Sequence, residues 1–458
     1  MNPLPEDALV AQVLGRQQEP VAENTRARLA QALLDWFTAG WSGAPLPLAG
    51  QMRAVTASAF PAPGAAPVFG GPCATPLAAA FANAGIAHLR EIDDAHRAAM
   101  LHPGVVAITP VLALAAAEPI RQRRVIDAIV AGYEVALRVG EALGAGHAAL
   151  FHATATAGSV GAAAATGVAL GLSRPQLHHA LGIAATQAAG LWQLVDDEAH
   201  ESKSLHPAFA VRNGMMAAWS AQAGLPGAEA FVTGKRGLHA LLAGDGPLPA
   251  LTTFGPGGID RLNTTTIKAW PTCAQIFTPL DALRALMQEH ALRPDEVGAI
   301  EVEIFPHALK IAGVDWPAKP SETPFCLRYV LAALLLNGRL GLREMEQPAL
   351  DDPALLALAG KIRVTRNEEF QKAFPERRPA RVTVTLVDGR QLSAYRDLRR
   401  GDPEDPFDWQ QLLQRMRAFA PAMDDAAATR ITAWCEGFAD AGRDGRPCLP
   451  AGELFGAA

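Results

Sequence analysis

The chain has 458 residues, of which 50% are hydrophobic and 19% are charged. This length predicts about two to four domains at roughly 150 residues each, and the apolar content excludes a disordered chain because it can form sizeable cores. Forty basic and forty-six acidic residues give a net charge of −6 without a Lys/Arg-rich run, which excludes the electrostatic footprint of a nucleic-acid-binding protein.

The cysteines and the N-terminal residues indicate a cytoplasmic protein. The five cysteines are widely spaced and include no C-x-x-C pair, so they predict reduced thiols rather than a disulfide framework or a zinc site. The N-terminus lacks a basic signal region, and we expect the apolar segments to be interrupted by His, Arg, Gln or Pro before they reach membrane-spanning length. Neither export nor a membrane partner is therefore expected.

Helical periodicity dominates the chain up to about residue 290. The spacing of Leu29, Leu33 and Trp36 predicts an amphipathic helix over residues 25–39. Because Pro suits the first helical position, three pairs predict helix starts: Thr75-Pro76, Thr109-Pro110 and Thr278-Pro279. Further candidate helices lie near 77–90, 110–117, 123–143, 156–171, 175–190 and 207–223. These helices predict a bundle.

Alternation of apolar and polar residues replaces this periodicity after residue 294. It predicts a small antiparallel sheet in which Asp388-Gly389 forms a hairpin turn. The predicted strands lie near 300–305, 361–366, 382–387 and 391–395. A helix is expected from Thr323-Pro324 to about residue 337, and helices return near 408–419 and 424–439.

These patterns predict a mainly α protein, with a large helical-bundle domain and an inserted smaller α+β domain. We expect residues 1–270 and 401–458 to form the helical domain. Residues 271–400 are expected to form the insert.

Acidic and histidine side chains cluster at a predicted helix end in residues 91–104. A Pro-Gly turn follows His102 and would fix its backbone, so its imidazole could give or take a proton near neutral pH. A solvated loop with exposed charges is the alternative.

Two lysines precede proline turns and helices. Pro207 predicts that His206 is the N-cap of a helix, whose backbone N–H groups would join Lys203 in binding a carboxylate or phosphate. Lys268 precedes Pro271 and another helix in the same way. Surface lysines with their ammonium groups in water are the alternative in both cases.

His152 precedes an Ala/Gly-rich helix, and Tyr329 lies on the helix after Pro324. Both could instead be core residues with satisfied hydrogen bonds. The glycine-rich residues 254–258 lack the strand-then-helix context of a dinucleotide fingerprint, so the sequence gives no support for a cofactor.

Taken in their order and spacing, several segments resemble the MmgE/PrpD family over most of the chain. They are Asn83-Ala84, Asp93-Asp94, His102-Pro103-Gly104, 131–135, Phe151-His152, 203–206 with Gly214, 224–227, 266–273 and 325–330. The family includes 2-methylcitrate dehydratase, cis-aconitate decarboxylase and iminodisuccinate epimerase.

The resemblance implies a helical domain with an inserted α+β lid domain, a homodimer, a small di- or tricarboxylate substrate and no metal or organic cofactor. Carried over residue by residue, the family's site positions match Glu91, His102, His152, Lys203, Lys268 and Tyr329. The chain departs from the family pattern at Ala95, where the decarboxylase frequently has Thr, at Phe277, which is often His, and at Ala208, which is usually Gly. One extra residue also separates Asp94 from His102.

Fixed cations such as Lys203 and Lys268 would stabilise the charge that develops when a proton leaves the carbon next to a carboxylate. Loss of water, loss of carbon dioxide and epimerisation share this stage. A dehydratase resembling 2-methylcitrate dehydratase is the first expectation, with a decarboxylase or epimerase as the alternative. A non-catalytic polycarboxylate-binding protein of the same fold is the competing class.

Each candidate residue has an expected role. We expect His102 to act as a general acid or base and His152 mainly to orient or bind the substrate. Glu91 and Tyr329 complete the expected catalytic set, while His206 joins the two lysines in binding substrate.

Overall fold

The computed structural model describes residues 4–253 and 260–456, which are mainly α-helical. The chain divides into two compact units, one formed by Met1–Thr265 with Trp409–Ala458 and the other by Thr266–Asp408. The boundaries expected from the sequence, after residues 270 and 400, lie a few residues from these. The glycine-rich residues 254–258 lie outside the described residues.

The first part of the helical unit runs from the N-terminus to Thr265. Its helices and strands are α1 (Pro5–Arg16), α2 (Glu23–Gly43), α3 (Pro47–Ala59), β1 (Ala66–Val68), β2 (Gly71–Ala74), α4 (Pro76–His88), α5 (Gly104–Ala117), β3 (Ile120–Arg121), α6 (Gln122–Ala148), α7 (Ala153–Leu170), α8 (Arg174–Ala185), α9 (Gln193–Asp196), α10 (Leu205–Gln222) and α11 (Leu238–Leu241). Short 3-10 helices span His200–Ser204, Leu248–Leu251 and Arg261–Thr264.

The second unit and the C-terminal return follow. The second unit contains α12 (Phe277–His290), β4 (Val297–Ile304), α13 (Pro306–Ile311), α14 (Leu327–Asn337), α15 (Leu342–Glu346), α16 (Pro353–Gly360), β5 (Ile362–Arg366), α17 (Glu368–Gln371), β6 (Ala380–Leu386) and β7 (Gln391–Arg396). The return contains α18 (Trp409–Phe419), α19 (Asp425–Glu436) and β8 (Pro447–Cys448). Further 3-10 helices span Ala274–Ile276, Pro294–Glu296, Pro320–Phe325, Gly437–Ala439, Ala441–Arg443 and Gly452–Phe455.

Small residues let the central helices of the first unit pack closely. Every residue of α7 from Ala153 to Ala169 is buried, against α6, α8 and α10. At Gly161 an added Cβ would lie only 2.5 Å from the Cβ of Ala136 on α6. The Ala/Gly-rich composition therefore sets the distance between α6 and α7, and it places the N-terminus of α7 deep inside the unit.

The same helix is long and apolar enough to cross a membrane by length and composition. The expectation that every apolar segment is interrupted before this length was therefore wrong for α7. Because 94% of this segment is buried inside the structure, α7 is a core helix of the first unit.

Two of the predicted helix starts needed correction. Thr75 is the N-cap of α4 with Pro76 as its first residue, as predicted. Pro110 instead lies inside α5, which begins at Gly104, where the backbone N–H donates to the Asp94 side chain. Pro279 lies in the first turn of α12, whose first residue is Phe277; an N–H there would lack an intrahelical partner in any case.

The second unit contains a four-stranded sheet in the order β5-β4-β6-β7. The hairpin of β6 and β7 turns at Gly389, which has φ of 90°, as the Asp-Gly signal predicted. β4 and β6 are also antiparallel, but β4 and β5 are parallel, so the expected purely antiparallel sheet was wrong at this edge. Residues 305–361, which include the four helices α13 to α16, form the long crossover that parallel pairing requires.

A buried ion pair joins the C-terminal return to the N-terminal helices. The Arg415 guanidinium on α18 lies 2.8 Å from the Asp35 carboxylate on α2, and it also donates to the Ile92 carbonyl oxygen at 2.6 Å. Both side chains of the pair are almost completely buried. Arg415 therefore holds α2 and the segment after α4 from a position more than 300 residues away in sequence.

Replacing this guanidinium should destabilise the first unit strongly. Arg415→Met leaves the Asp35 charge buried without its partner, which should lower the free energy of unfolding by about 3–5 kcal/mol in urea denaturation followed by circular dichroism. Arg417→Met, at an exposed position of the same helix, should change it by no more than about 0.5 kcal/mol. Adding Asp35→Asn to Arg415→Met should recover part of the loss. Equal effects of the two single substitutions would contradict this account.

Candidate active site

One carboxylate lies between two histidines in the first unit. His88 is the last residue of α4, and its Nδ1 lies 2.9 Å from Asp93 Oδ2. His102 reaches the same oxygen from the far end of the following loop, with its Nδ1 at 3.2 Å. The loop therefore folds back so that both imidazoles contact Asp93.

A second pair of histidines comes from the starts of two helices. His152 is the N-cap of α7, and its Nδ1 lies 3.0 Å from Nδ1 of His206 on α10. The Trp192 ring covers His152 at a centroid distance of 4.7 Å and donates its indole N–H to the Ala148 carbonyl oxygen. The His152 ring is therefore held between an aromatic face and a second imidazole.

These pairs meet in a buried cluster formed by His88, His102 and His152. The ring centroids of His88 lie 4.6 Å from those of His102 and 5.7 Å from those of His152. The three residues are 1%, 9% and 2% exposed. One ring nitrogen of each histidine lies within 4.8 Å of a ring nitrogen of each of the other two. The arrangement can move protons between neighbouring imidazoles, and it contains ligands that transition-metal ions prefer.

Burial and neighbouring charges shift the pKa values of Asp93 and His152 in this cluster. Burial pushes the pKa of Asp93 upward, but His88 and His102 outweigh it, and the pKa stays well below its ordinary value. Burial, with Lys203 and the other histidines, lowers the pKa of His152 well below its ordinary value. Near neutral pH, Asp93 is therefore ionised and His152 is a neutral imidazole.

The neighbouring Asp94 fixes the loop that carries His102. Its carboxylate accepts from the Gly104 backbone N–H at 2.8 Å and from the Tyr133 hydroxyl at 2.7 Å. A Cβ at Gly104 would lie 2.7 Å from Asp94 Oδ1, so this close approach requires glycine. Burial raises the pKa of Asp94 to about 7, with the nearby Asp35 adding to the effect. Asp94 thus anchors the start of α5 directly after His102.

The predicted cation Lys203 is already paired. Its ammonium lies 2.5 Å from Glu91 Oε2 and 6.0 Å from the centroid of the Trp192 ring. Glu91 has φ of 51°, in the left-handed region that non-glycine residues rarely adopt. Such strain is concentrated at functional sites in proteins, and here it belongs to a residue that contacts the predicted anion-binding lysine.

His206 lies two positions deeper in its helix than expected. The N-cap of α10 is Ser204 and the helix begins at Leu205, so the prediction of His206 as N-cap was wrong. Pro207 still lies in the first turn, where a backbone N–H would have no acceptor within the helix, so its missing N–H costs no helical hydrogen bond. Lys203 lies in the 3-10 helix His200–Ser204 immediately before it.

The remaining two candidates belong to the second unit. Lys268 is 2% exposed, and Tyr329 lies on α14, as predicted, with 1% exposure. The Tyr329 hydroxyl donates a hydrogen bond to the Glu344 carbonyl oxygen. Burial raises the pKa of Tyr329 to about 12, so it is a neutral phenol near neutral pH.

Sequence reasoning missed His88 and Trp192 as members of this cluster, and it gave Asp93 no role of its own. The His88–x4–Asp93 spacing is a weak signal, because it joins a helix end to an irregular loop. Trp192 lies in an irregular segment whose place beside His152 depends on tertiary contacts.

Acid should destabilise the protein in part through His206. Burial, followed by His88 and Lys203, lowers the pKa of His206 to about 4, whereas an unfolded histidine has a pKa of about 6.5. Below about pH 6.5 the unfolded chain binds this proton more readily, so stability falls as the pH falls toward about 4.

The melting temperature of His206→Gln should therefore fall less than that of the wild type when the pH is lowered from 7.5 to 5.0. His290→Gln, at an exposed position, serves as the control and should keep the wild-type dependence. An equal or steeper loss in His206→Gln would count against a neutral buried His206.

Comparison with known proteins gives a consistent set of matches. Sequence models of the MmgE/PrpD N-terminal domain and the MmgE/PrpD C-terminal domain match residues 8–250 and 270–436. A cis-aconitate decarboxylase of Aspergillus terreus is 27% identical over 440 residues, covering 90% of this chain and 88% of the relative. A cis-aconitate decarboxylase-like protein of Aspergillus oryzae is 28% identical over 383 residues, or 77% of each chain. The cis-aconitate decarboxylase of Homo sapiens is 26% identical over 361 residues, covering 76% of this chain and 73% of the relative.

Proposed function

Because this chain belongs to the MmgE/PrpD family, we propose that it is a lyase that acts on a small di- or tricarboxylic acid. The observation that carries the proposal is the buried group of His102 and His152 beside the ionised Asp93. Lys203 is close enough to this group to contribute, after burial as the largest cause, to the lowered pKa of His152. This group combines proton-transferring side chains with a cation for a carboxylate.

His102 is the proposed proton-transfer group. The Asp93 carboxylate, 3.2 Å from Nδ1, stabilises the imidazolium that forms when the ring takes up a proton, as a buried Asp does in other catalytic histidine pairs. His152, by contrast, is held neutral between Trp192 and His206. A neutral imidazole N–H can donate to a substrate carboxylate, so His152 is assigned to binding.

Lys203 is the proposed carboxylate-binding cation. In the structure its partner is Glu91, and a substrate carboxylate would compete with Glu91 for the ammonium. Displaced Glu91 would then be a free carboxylate beside the substrate. Lys268 and Tyr329 enter the proposal from the family resemblance alone, as a second cation and a hydroxyl.

Decarboxylation is the first candidate reaction, because the curated relatives reported above are cis-aconitate decarboxylases. In that reaction the bond to the departing carboxylate breaks, carbon dioxide leaves, and the electron pair remains on the substrate carbon. His102 would supply the proton that this carbon takes up. Lys203 would stabilise the charge on a neighbouring carboxylate while the carbon is electron-rich.

Dehydration is the second candidate, because Ala95 departs from the decarboxylase pattern that the family resemblance implies. A Thr at this position is frequent in the decarboxylase, and one extra residue precedes His102 in this chain. In dehydration a base removes a proton from the carbon next to a carboxylate, and the hydroxyl group leaves as water after taking up a proton. Both candidates use the same histidines and the same lysine.

The roles of the two histidines can be separated by substitution. The protein is incubated with cis-aconitate or 2-methylcitrate in deuterium oxide, and carbon dioxide release, water loss and deuterium at carbon are measured. His102→Asn should lower turnover by roughly 10²- to 10⁴-fold with little change in affinity, because it removes proton transfer. His152→Asn should mainly raise KM. The reverse pattern would exchange the two roles, and absence of turnover and exchange with all acids would leave a binding protein.

Loss of the proposed cation should weaken binding and slow turnover. Lys203→Ala removes one charge-assisted contact to a carboxylate, worth roughly 1.5–3 kcal/mol, so kcat/KM should fall on the order of 10- to 150-fold. Lys235→Ala, at an exposed position, is the matched control and should leave kcat/KM unchanged. Unchanged kinetics in Lys203→Ala would remove Lys203 from the site.

A further inference from the structure

We propose that His88, His102 and His152 form a binding site for a divalent transition-metal ion such as Zn²⁺, and that the bound ion inhibits the enzyme. The binding part of the proposal depends only on the geometry of the cluster. The inhibition part rests on the proposed function, because the ion would occupy the two histidines assigned to proton transfer and substrate binding.

The first observation is the spacing of the ligand atoms. One nitrogen from each of the three rings lies within 4.8 Å of the others. Zn–N bonds of about 2.0–2.1 Å in a tetrahedral site place the nitrogens roughly 3.3 Å apart, so the rings need to approach by about 1.5 Å at most. Rotation of imidazole rings about their side-chain bonds supplies movements of this size.

The second observation is the state of His88, which the proposed reaction does not use. Its Nδ1 contacts Asp93, while its Nε2 is buried and has no hydrogen-bond partner among the described protein atoms. A buried polar atom without a partner costs about 1–3 kcal/mol. When Nδ1 carries the proton donated to Asp93, Nε2 carries a lone pair and is a ready metal ligand.

Asp93 supplies the outer support that metal-binding histidines usually have. Such histidines commonly donate their second N–H to a carboxylate, which fixes the ring and makes the ligating nitrogen more basic. Asp93 lies within 3.2 Å of Nδ1 of both His88 and His102. One carboxylate can therefore orient two of the three ligands.

The charges around the cluster also permit a dication. The ammonium of Lys203, the nearest cation named in the site, is paired with Glu91, and the Asp93 carboxyl group lies next to two of the ligands. Three imidazoles favour Zn²⁺, Co²⁺, Ni²⁺ or Cu²⁺ over Mg²⁺ and Ca²⁺, which prefer oxygen ligands.

Direct metal binding is the decisive measurement. The full-length protein is treated with a chelator, dialysed and titrated with Co²⁺, whose visible absorption reports low-coordinate nitrogen ligation, and with Zn²⁺ by calorimetry. We expect one ion per chain. His88→Gln should bind Zn²⁺ at least about 10-fold more weakly, whereas the exposed-site control His290→Gln should bind as the wild type does. Wild-type affinity in His88→Gln, or no stoichiometric ion in the wild type, overturns the site.

X-ray absorption of the Zn²⁺-loaded wild-type protein tests the same site without a substitution, in case His88→Gln does not fold. Three imidazole ligands support the proposal, and fewer than three overturn it. Zn²⁺ should also abolish the turnover measured with polycarboxylates, and a chelator should restore it. Stoichiometric binding with undiminished turnover overturns the proposed inhibition. If the protein binds the ion but turns over no acid, the metal site is supported and the proposed function is overturned.

Discussion

The buried acidic segment Asp93-Asp94 is the constraint on which the rest of the helical unit depends. Two carboxylates inside a protein are costly unless each has partners, and here the partners come from distant parts of the chain. Asp93 takes its partners from the histidines at either end of the loop, and Asp94 takes the N-terminus of α5 and the Tyr133 hydroxyl of α6. Arg415, from the C-terminal return, holds the Ile92 carbonyl just before them. The position of His102 follows from these bonds.

Close packing of small residues completes the arrangement from the other side. Because α7 is built from Ala, Gly, Ser, Thr and Val up to its last residue, Leu170, its N-terminus lies in the interior, and its N-cap His152 lies beside His88 and His102. Burial keeps this imidazole neutral, and the partial positive charge at a helix N-terminus acts in the same direction. The two histidines therefore differ in their surroundings: His102 faces the Asp93 carboxylate, whereas His152 lies at a helix start.

The sequence predicted most of the long helices and the Asp-Gly hairpin, because each depends on local spacing. It placed the start of α5 six residues late because a Thr-Pro pair resembles a helix start, whereas the actual start at Gly104 is fixed by the non-local Asp94 carboxylate. It also missed the parallel edge of the sheet, because pairing direction depends on the crossover rather than on strand periodicity. His88 was missed because its place in the cluster depends on a tertiary contact: it shares the Asp93 carboxylate with His102.

The ion pair of Lys203 and Glu91 bears on how the proposed substrate, which carries several negative charges, would bind beside these histidines. With Glu91 in place, the ammonium of Lys203 is neutralised, and the ionised Asp93 lies beside His88 and His102. A substrate carboxylate that replaces Glu91 at Lys203 adds negative charge to the pocket, and this favours a proton on the imidazole that faces Asp93. Under the proposed function, substrate binding would therefore favour a protonated His102 beside Asp93.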